Sequence, residues 1–497
     1  MAKALMITGT HSSAGKSLLV TALCRILHRR GLKVAPFKAQ NMSLQSYICQ
    51  DGSEIGLAQA IQAMACGLEP EYTFNPILLK PEGNGKSQVI VKGRLYKRLT
   101  AKDYYKEKDS LWREVSETLR NLQERFELII MEGAGSPAEI NLLDVDLVNI
   151  KPPLFFRAPV IMVGDIDKGG AFASLYGTLE LLKIFQRDYA SLVKGYVINK
   201  FRGDLDILKP GLERFSALSG LPCLGVLPYF DISLSDEDGF SFFNKGHLQR
   251  REAAVKIVIV TLQHISNFSD FDPFYLEEDV ELRYSLNEGD LLDADIIILP
   301  GSKNTLSDLK RLQDMDFKNL LKKAMERGAE IIGICGGFQM LGERLLNPYQ
   351  IEGEERELEG LGLLDITTTF FPEKVTTQVK AKALSLFETR EDLWGFEIHK
   401  GVSFGDMNLF EIQRLATGEI LRDGRCQGRV WGTYLHGVFT NDALRRELIN
   451  RHRQKKGLKP LEVKIRYKDA VDCSINRLAA LVERHLRLEK VHEILGL

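Results

Sequence analysis

Short apolar runs recur along the chain, and most are followed by stretches in which apolar residues return every three or four positions. The runs are Ala4–Thr8, Leu128–Met131, Val160–Val163, Tyr196–Ile198, Lys256–Thr261, Asp295–Leu299 and Glu330–Ile334. Continuous runs of this length predict strands buried on both faces. The stretches between them predict amphipathic helices. After the first run, Leu19, Leu23, Ile26 and Leu27 stand at i, i+4, i+7 and i+8, and Gly31 marks the stop. Alternation of buried strands with helices predicts an α/β protein with parallel sheets and helical crossovers.

The pattern breaks near residues 245–255. Asn244–Glu252 is polar and strongly charged, and a fresh apolar run begins at Val255. This predicts two α/β units, 1–245 and 253–445. The remaining tail, 446–497, carries 13 Lys and Arg against 7 Asp and Glu. Its Ile475, Leu478, Leu481 and Val482 form one apolar helical face, which predicts a helical element docked on the body. The length of 497 residues agrees with a multidomain chain at roughly 100–200 residues per domain.

Charge and composition narrow the function classes. The 66 basic residues balance 67 acidic ones, which argues against a dedicated nucleic-acid binder. With 44% hydrophobic residues, a largely disordered chain is excluded. No apolar run approaches the ~18 residues of a membrane span. The start leads directly into a strand, so no cleavable signal is expected. Seven scattered cysteines, none at zinc-ligand spacing, indicate a reduced, cytoplasmic protein without structural metal or redox cofactor. Oligomeric state is left open.

The first strand is followed by Gly9-Thr-His-Ser-Ser-Ala-Gly-Lys-Ser17 and then a helix. Such a loop cradles phosphates with backbone N–H groups at a helix N-terminus. Gly9, Thr10, Ser12, Ser13, Ala14 and Gly15 form the cradle. Lys16 reaches the β/γ-phosphates, and Ser17 supplies a hydroxyl to Mg²⁺. The strict pattern has Gly where this chain has Thr10, so the loop is a variant. A second metal-side carboxylate is needed at a neighbouring strand end, and Glu132 stands there. The third strand ends in Gly164–Gly170, where Asp165, Asp167 and Lys168 are placed to meet phosphate or substrate. Asn199 ends the fourth strand and serves either a base edge or the turn itself.

In the second half, Glu330–Ile334 runs into Cys335-Gly-Gly. This has the shape of a nucleophile elbow, with glycines flanking a tight strand-to-helix turn. The Gly336 N–H points where an oxyanion would form, and the loop holding Gly301 and Ser302 offers a second donor. A Cys nucleophile needs a base. His436, beside Gly437, is the first choice, and His399 is its rival. The other six cysteines read as small buried apolar residues.

A phosphate loop that primes an acid and a Cys–His elbow that frees ammonia from glutamine together suggest ATP-dependent amidation. These loops, with residues 38–44, 75–81, 87–91, 265–273 and 395–399, resemble the cobyric acid synthase family, the glutamine-dependent amidases of cobalamin biosynthesis. The likeness runs nearly the whole length. It implies an N-terminal half similar to dethiobiotin synthetase, where Lys38 contacts the phosphoryl group or acceptor carboxylate and Glu54 joins Ser17 and Glu132 around Mg²⁺. It implies a second half similar to class I glutamine amidotransferases. In that class a Glu follows the His by two places. Val438 stands there instead, which leaves open what orients His436. The resemblance further implies ATP, Mg²⁺, glutamine and a corrinoid as ligands. The reaction it implies is amidation of the b, d, e and g carboxylates of adenosylcobyrinic acid a,c-diamide. Lys38, Lys80, Lys168, Lys200 and Arg202 are placed to neutralise that polyanion. Ammonia must then pass from the Cys site to the phosphate-loop site shielded from water. The rival readings are the earlier a,c-diamide synthase, a P-loop ATPase with an inactive amidotransferase half, and a biotin-pathway ligase.

Overall fold

The computed structural model describes residues 2–83, 85–229 and 253–497. The chain divides into two compact units, Met1–Ser43 with Glu54–Asp238 and Val471–Leu497, and Leu44–Ser53 with Gly239–Ala470. The boundary expected near 245–255 lies, up to residue 252, outside the described residues. Among the described residues, no helix is long and apolar enough to cross a membrane.

The first unit is built on six parallel strands. Their order is Cys223–Pro228, Val193–Phe201, Val160–Asp165, Lys3–Gly9, Leu128–Glu132 and Val34–Phe37. The first strand in sequence is therefore central. Its alternating residues enter opposite cores: Leu5 and Ile7 on one face, Ala4 and Met6 on the other. This is why the run reads as continuously apolar. The register pairs Ile7 with Glu132 and Asp165 with Asn199. The strand ends carrying the predicted phosphate-loop residues thus come together at one edge of the sheet. A smaller four-stranded sheet joins Gln40–Met42, Ile77–Gly83, Lys86–Val91 and Arg94–Thr100.

The expected tail is shared between the two units. Helix Asp442–Lys455 belongs with the second. From Val471 onward the chain belongs with the first. There Ile475, Leu478 and Val482 pack with Leu19, Leu23 and Leu27 of the helix Lys16–Arg29. The same segment covers the edge strand Cys223–Pro228. Arg487 N donates to Leu224 O at 2.7 Å. A Cβ on Gly225 would lie 2.4 Å from His485 O, so only glycine admits this approach.

The second unit holds five parallel strands, Val280–Ser285, Val255–Val260, Ile296–Leu299, Glu330–Ile334 and Val430–Thr433, with antiparallel Arg425–Gln427 at one edge. A second sheet includes the long strands Thr367–Ala383 and Leu393–Phe404, paired antiparallel. Glu330–Ile334 and Val430–Thr433 are direct neighbours, with Ile334 opposite Thr433. The segments leading to Cys335 and His436 therefore leave the sheet side by side.

Leu478 is fully buried against the phosphate-loop helix. Leu478→Ala is expected to destabilise the first unit by about 2–5 kcal/mol. A lowered midpoint in urea unfolding, followed by a probe in that unit, checks this.

Candidate active sites

The first site grows from the turn after Lys3–Gly9. Ser13 has φ 60°, and Gly15, which begins the helix Lys16–Arg29, has φ 98°. A Cβ on Gly15 would lie 1.9 Å from Asn199 Nδ2, so glycine is required by both conformation and space. Gly9 stands 3.1 Å, by its would-be Cβ, from Lys16 Cδ, and so lets the lysine stem fold back over the loop. Thr10, where the strict pattern has Gly, continues the strand by donating its N–H to Val163 O at 3.1 Å, and its buried hydroxyl has no partner among the described residues.

Lys16 is buried and donates to His11 O at 3.1 Å and Gly135 O at 3.4 Å. Ser17 Oγ donates to Glu132 Oε1 at 2.9 Å. The same oxygen accepts from Lys38 Nζ at 2.7 Å, and Glu132 Oε2 accepts from Gln62 Nε2 at 2.5 Å. Ser17, Lys38 and Glu132 are thus brought together. Glu54 is buried and ion-paired with Lys80.

The third and fourth strand ends support the loop from below. Asn199 Nδ2 donates to Ala14 O at 2.8 Å, and its buried Oδ1 has no partner. Lys200 Nζ reaches Ser13 O and Asp165 Oδ2, both at 2.8 Å. Asp165 also accepts from the Asp167 N–H at 2.9 Å. Asp167 pairs with Arg202 at 3.2 Å, and Lys168 is exposed. Ser12, in the turn, is exposed.

Ser17 and Glu132 present a hydroxyl and a carboxylate oxygen to one point, which fits a hard cation completed by phosphate and water. Among the described residues no group of three or more His, Cys, Asp or Glu could hold a metal by itself. The pair therefore suits Mg²⁺ brought with a nucleotide.

Sequence reasoning missed Gln62 and Asn149. Asn149 accepts from the Ala134 N–H at 3.1 Å, donates to Ala134 O at 2.8 Å, and so pins the loop after Glu132. Gln62 had a signal: it is one of two glutamines, with Gln59, on the otherwise apolar helix Leu57–Ala65.

In the second unit, Cys335 adopts φ 50°, ψ −106°, a region β-substituted residues rarely visit. Its N–H donates to Thr433 O at 2.8 Å, and its sulfur lies 3.8 Å from Ile398 O. The flanking glycines are forced by contact. A Cβ on Gly337 would lie 2.0 Å from Leu299 O, and one on Gly336 would lie 2.8 Å from Ser302 N. The loop of Gly301 and Ser302 thus lies against the elbow.

His436 is fully buried and interacts with Cys335. Its Nδ1 lies 2.7 Å from Asp270 Oδ2, and Asp270 Oδ1 accepts from the Gly437 N–H at 2.9 Å. Asp270 fills the role left open by Val438. It comes from the 3₁₀ helix Phe268–Leu276, which explains why no local motif around His436 revealed it. Phe396 stacks on the imidazole with centroids 5.2 Å apart. Burial by itself lowers the His436 pKa; the Asp270 carboxylate and then the Cys335 sulfur outweigh it and lift the value to about 10. The rival, His399, faces Gly401 O at 2.7 Å and Glu397 Oε1 at 3.1 Å and stacks on Tyr434. His399 and Arg414 overcome burial to hold the Glu397 carboxyl at about 2.

Fold and sites together define a glutamine amidotransferase joined to a nucleotide-binding unit. Residues 5–239 match the model of the CobQ/CobB/MinD/ParA nucleotide binding domain, and 256–444 match that of the CobB/CobQ-like glutamine amidotransferase domain. The chain is 53% identical to a cobyric acid synthase of Thermodesulfovibrio yellowstonii, with all of both chains covered. It is 46% identical to one of Clostridium botulinum, again with all of both covered. It is 45% identical to one of Caldanaerobacter subterraneus subsp. tengcongensis, over all of this chain and 99% of the relative. The chain belongs to the cobyric acid synthase family. It is an ATP-dependent ligase of the glutamine amidotransferase type.

Asp270→Asn removes the charge that holds the His436 imidazolium, and glutaminase kcat is expected to fall on the order of 10²–10⁴-fold. A stability readout accompanies it. The folded His436 pKa lies above the ordinary 6.5, so its pairing stabilises the fold fully below 6.5 and ceases to as pH rises through about 10. The melting-temperature gap between wild type and Asp270→Asn should therefore be widest at about pH 6.5 and just below, narrow steadily above it, and close as pH passes about 10.

Proposed function

We infer that the protein uses ATP and glutamine to amidate the b, d, e and g side-chain carboxylates of adenosylcobyrinic acid a,c-diamide, giving adenosylcobyric acid. The observation that carries the nitrogen half is the buried His436, bonded to Asp270 and interacting with Cys335. Family membership over the full length supports the substrate. The seven cysteines, all free, fit action in the cytoplasm.

In the glutaminase half, the Cys335 thiolate attacks the side-chain carbonyl of glutamine. Gly336 N–H, with the loop of Gly301 and Ser302, takes the oxyanion. The His436 imidazolium gives its Nε2 proton to the departing nitrogen, and ammonia leaves a thioester. Water, deprotonated by His436, then releases glutamate and restores the thiolate–imidazolium pair. Asp270 keeps the ring oriented throughout.

In the synthetase half, the loop Gly9–Ser17 holds the triphosphate. Mg²⁺, held between Ser17 and Glu132, supplies charge neutralisation for the phosphates when bound. A substrate carboxylate oxygen attacks the γ-phosphorus, forming an acyl phosphate and releasing ADP. Lys16 and Lys38 balance the charge that passes between them. Ammonia then attacks the acyl carbon; the C–N bond forms, phosphate leaves, and the surplus proton leaves with it as HPO₄²⁻. Asp165, Asp167, Lys168, Lys200 and Arg202 line the adjoining strand ends, and Asn199 Oδ1 is suited to accept from an adenine amine.

Incubation of the a,c-diamide with ATP, Mg²⁺ and glutamine should give a stepwise series of amides by mass spectrometry, each OH replaced by NH₂. Cys335→Ser should abolish the series with glutamine and restore it with ammonium chloride. Absence of amides from wild type with either donor would refute the reading.

A further inference from the structure

Around Glu132 the first unit buries an unusual number of amide side chains. Asn41, Gln59, Gln62 and Asn75 are each at most 2% exposed, beside the ion pairs Lys38–Glu132 and Lys80–Glu54. Three of the four bind one another or the local backbone. Asn75 Nδ2 donates to Lys38 O at 3.0 Å and Ile77 O at 2.9 Å, while its Oδ1 accepts from the Gly56 N–H at 3.0 Å. Asn41 Nδ2 donates to Gln59 Oε1 at 3.0 Å. Asn75 is therefore a structural brace.

Gln59 and Gln62 differ. They stand three apart on the helix Leu57–Ala65, on one face of it. Gln62 must turn its Nε2 to the Glu132 carboxylate, which can only accept, so its Oε1 faces away. That Oε1 is closed to solvent and has no partner. Gln59 uses its Oε1 on Asn41, and its Nε2 is likewise closed to solvent and unpartnered. Both residues are fully buried. An unmatched buried polar atom is destabilising, so keeping two on one face of a helix needs a reason.

One unmatched acceptor and one unmatched donor on the same face are complementary to a carbonyl carbon bonded to oxygen and nitrogen. We propose that Gln62 Oε1 accepts an N–H of the ammonia that attacks the acyl phosphate, while Gln59 Nε2 donates to the acyl oxygen, so that this face of the helix binds the forming amide. The inference rests on the synthetase reading above. It adds a nitrogen subsite, built from residues outside the phosphate loop, to a site otherwise made to hold anions. No proton is transferred to either glutamine: the C–N bond forms, the C–O bond to phosphate breaks, and the surplus proton leaves with phosphate as before. Access follows from the pairs beside it. An arriving carboxylate or phosphate competes with Glu132 and Glu54 for Lys38 and Lys80. The nitrogen subsite is then completed only when the acid is in place.

The test uses the full-length protein with ATP, Mg²⁺, the a,c-diamide and ammonium chloride as donor, and follows ADP and amide together. Wild type should form close to one ADP per amide. Gln62→Met keeps the volume and removes the acceptor; the acyl phosphate then waits for its nucleophile and is lost to water. ADP per amide should rise several-fold and KM for ammonia by about tenfold, one hydrogen bond's worth. Gln59→Met should lower amide kcat and leave KM for ammonia in place. Gln62→Asn carries the same readout if Gln62→Met fails to fold, as judged by circular dichroism and melting temperature. A folded Gln62 variant with unchanged ADP per amide and unchanged KM for ammonia overturns the proposal, and so does an effect confined to the Mg²⁺ dependence. Wild type that makes no amide under these conditions sinks the synthetase reading instead, which keeps the two failures distinct.

Discussion

Glu132 is a carboxylate almost wholly removed from water, and the first unit is arranged around compensating it. An isolated buried carboxylate is destabilising by several kcal/mol unless it is paired and hydrogen-bonded. Here Ser17 comes from the phosphate-loop helix, Lys38 from the segment after strand Val34–Phe37, and Gln62 from helix Leu57–Ala65. Three separate segments converge on two oxygens. The central position of strand Lys3–Gly9, with Leu128–Glu132 beside it, makes that convergence possible. The phosphate loop is held from the other side by Asn199 and Lys200, whose hydrogen bonds to Ala14 O and Ser13 O fix the turn that ends at Gly15.

The second unit solves a similar problem with opposite charges. His436 is buried, and burial alone would discharge its ring. Asp270 keeps the charge there. The carboxylate also accepts from the Gly437 N–H, so the backbone that positions the imidazole and the imidazole itself are fixed by one residue. The strained φ of Cys335 belongs to the same arrangement. Its backbone is tied to Thr433 O, in the neighbouring strand that leads to His436. Strain of about 1–3 kcal/mol is retained at such a residue only where the surroundings over-determine it, and the tight fit of Gly336 and Gly337 against Ser302 and Leu299 does so.

The elements most legible in the sequence are those whose chemistry is local. The phosphate loop is a contiguous turn whose glycines and lysine have fixed jobs, and Gly333–Gly337 is a contiguous elbow. Buried parallel strands announce themselves as unbroken apolar runs, and Glu330–Ile334 begins and ends where the pattern places it. What could not be read is partnership across sequence. Asp270 reaches His436 from a segment that looks like an aromatic-rich loop, and nothing in its spacing specifies a carboxylate for a distant imidazole. Gln62 looks like a neutral position on an alanine-rich helix until Glu132 is known to lie beneath it. Likewise, the division of the tail between the two units follows from packing of Ile475, Leu478 and Val482 against the phosphate-loop helix. An apolar face reveals that it will be buried, not against what.

Charge accounting connects these features to turnover. In the first unit, Lys38 and Lys80 are each held by a buried carboxylate. A nucleotide and an acidic substrate bring several negative charges to the same strand ends. The lysines can neutralise them only by loosening their hold on Glu132 and Glu54, and Glu132 then needs a new cation. On the proposed function, a divalent ion held by Ser17 and Glu132 would meet that need, since it would replace one lysine charge with two and leave the lysine for the ligand. On the proposed function, binding of metal, nucleotide and acid would be coupled through that one carboxylate. The resting pairs keep that carboxylate in position for a cation without committing the site to phosphate chemistry before the acid arrives.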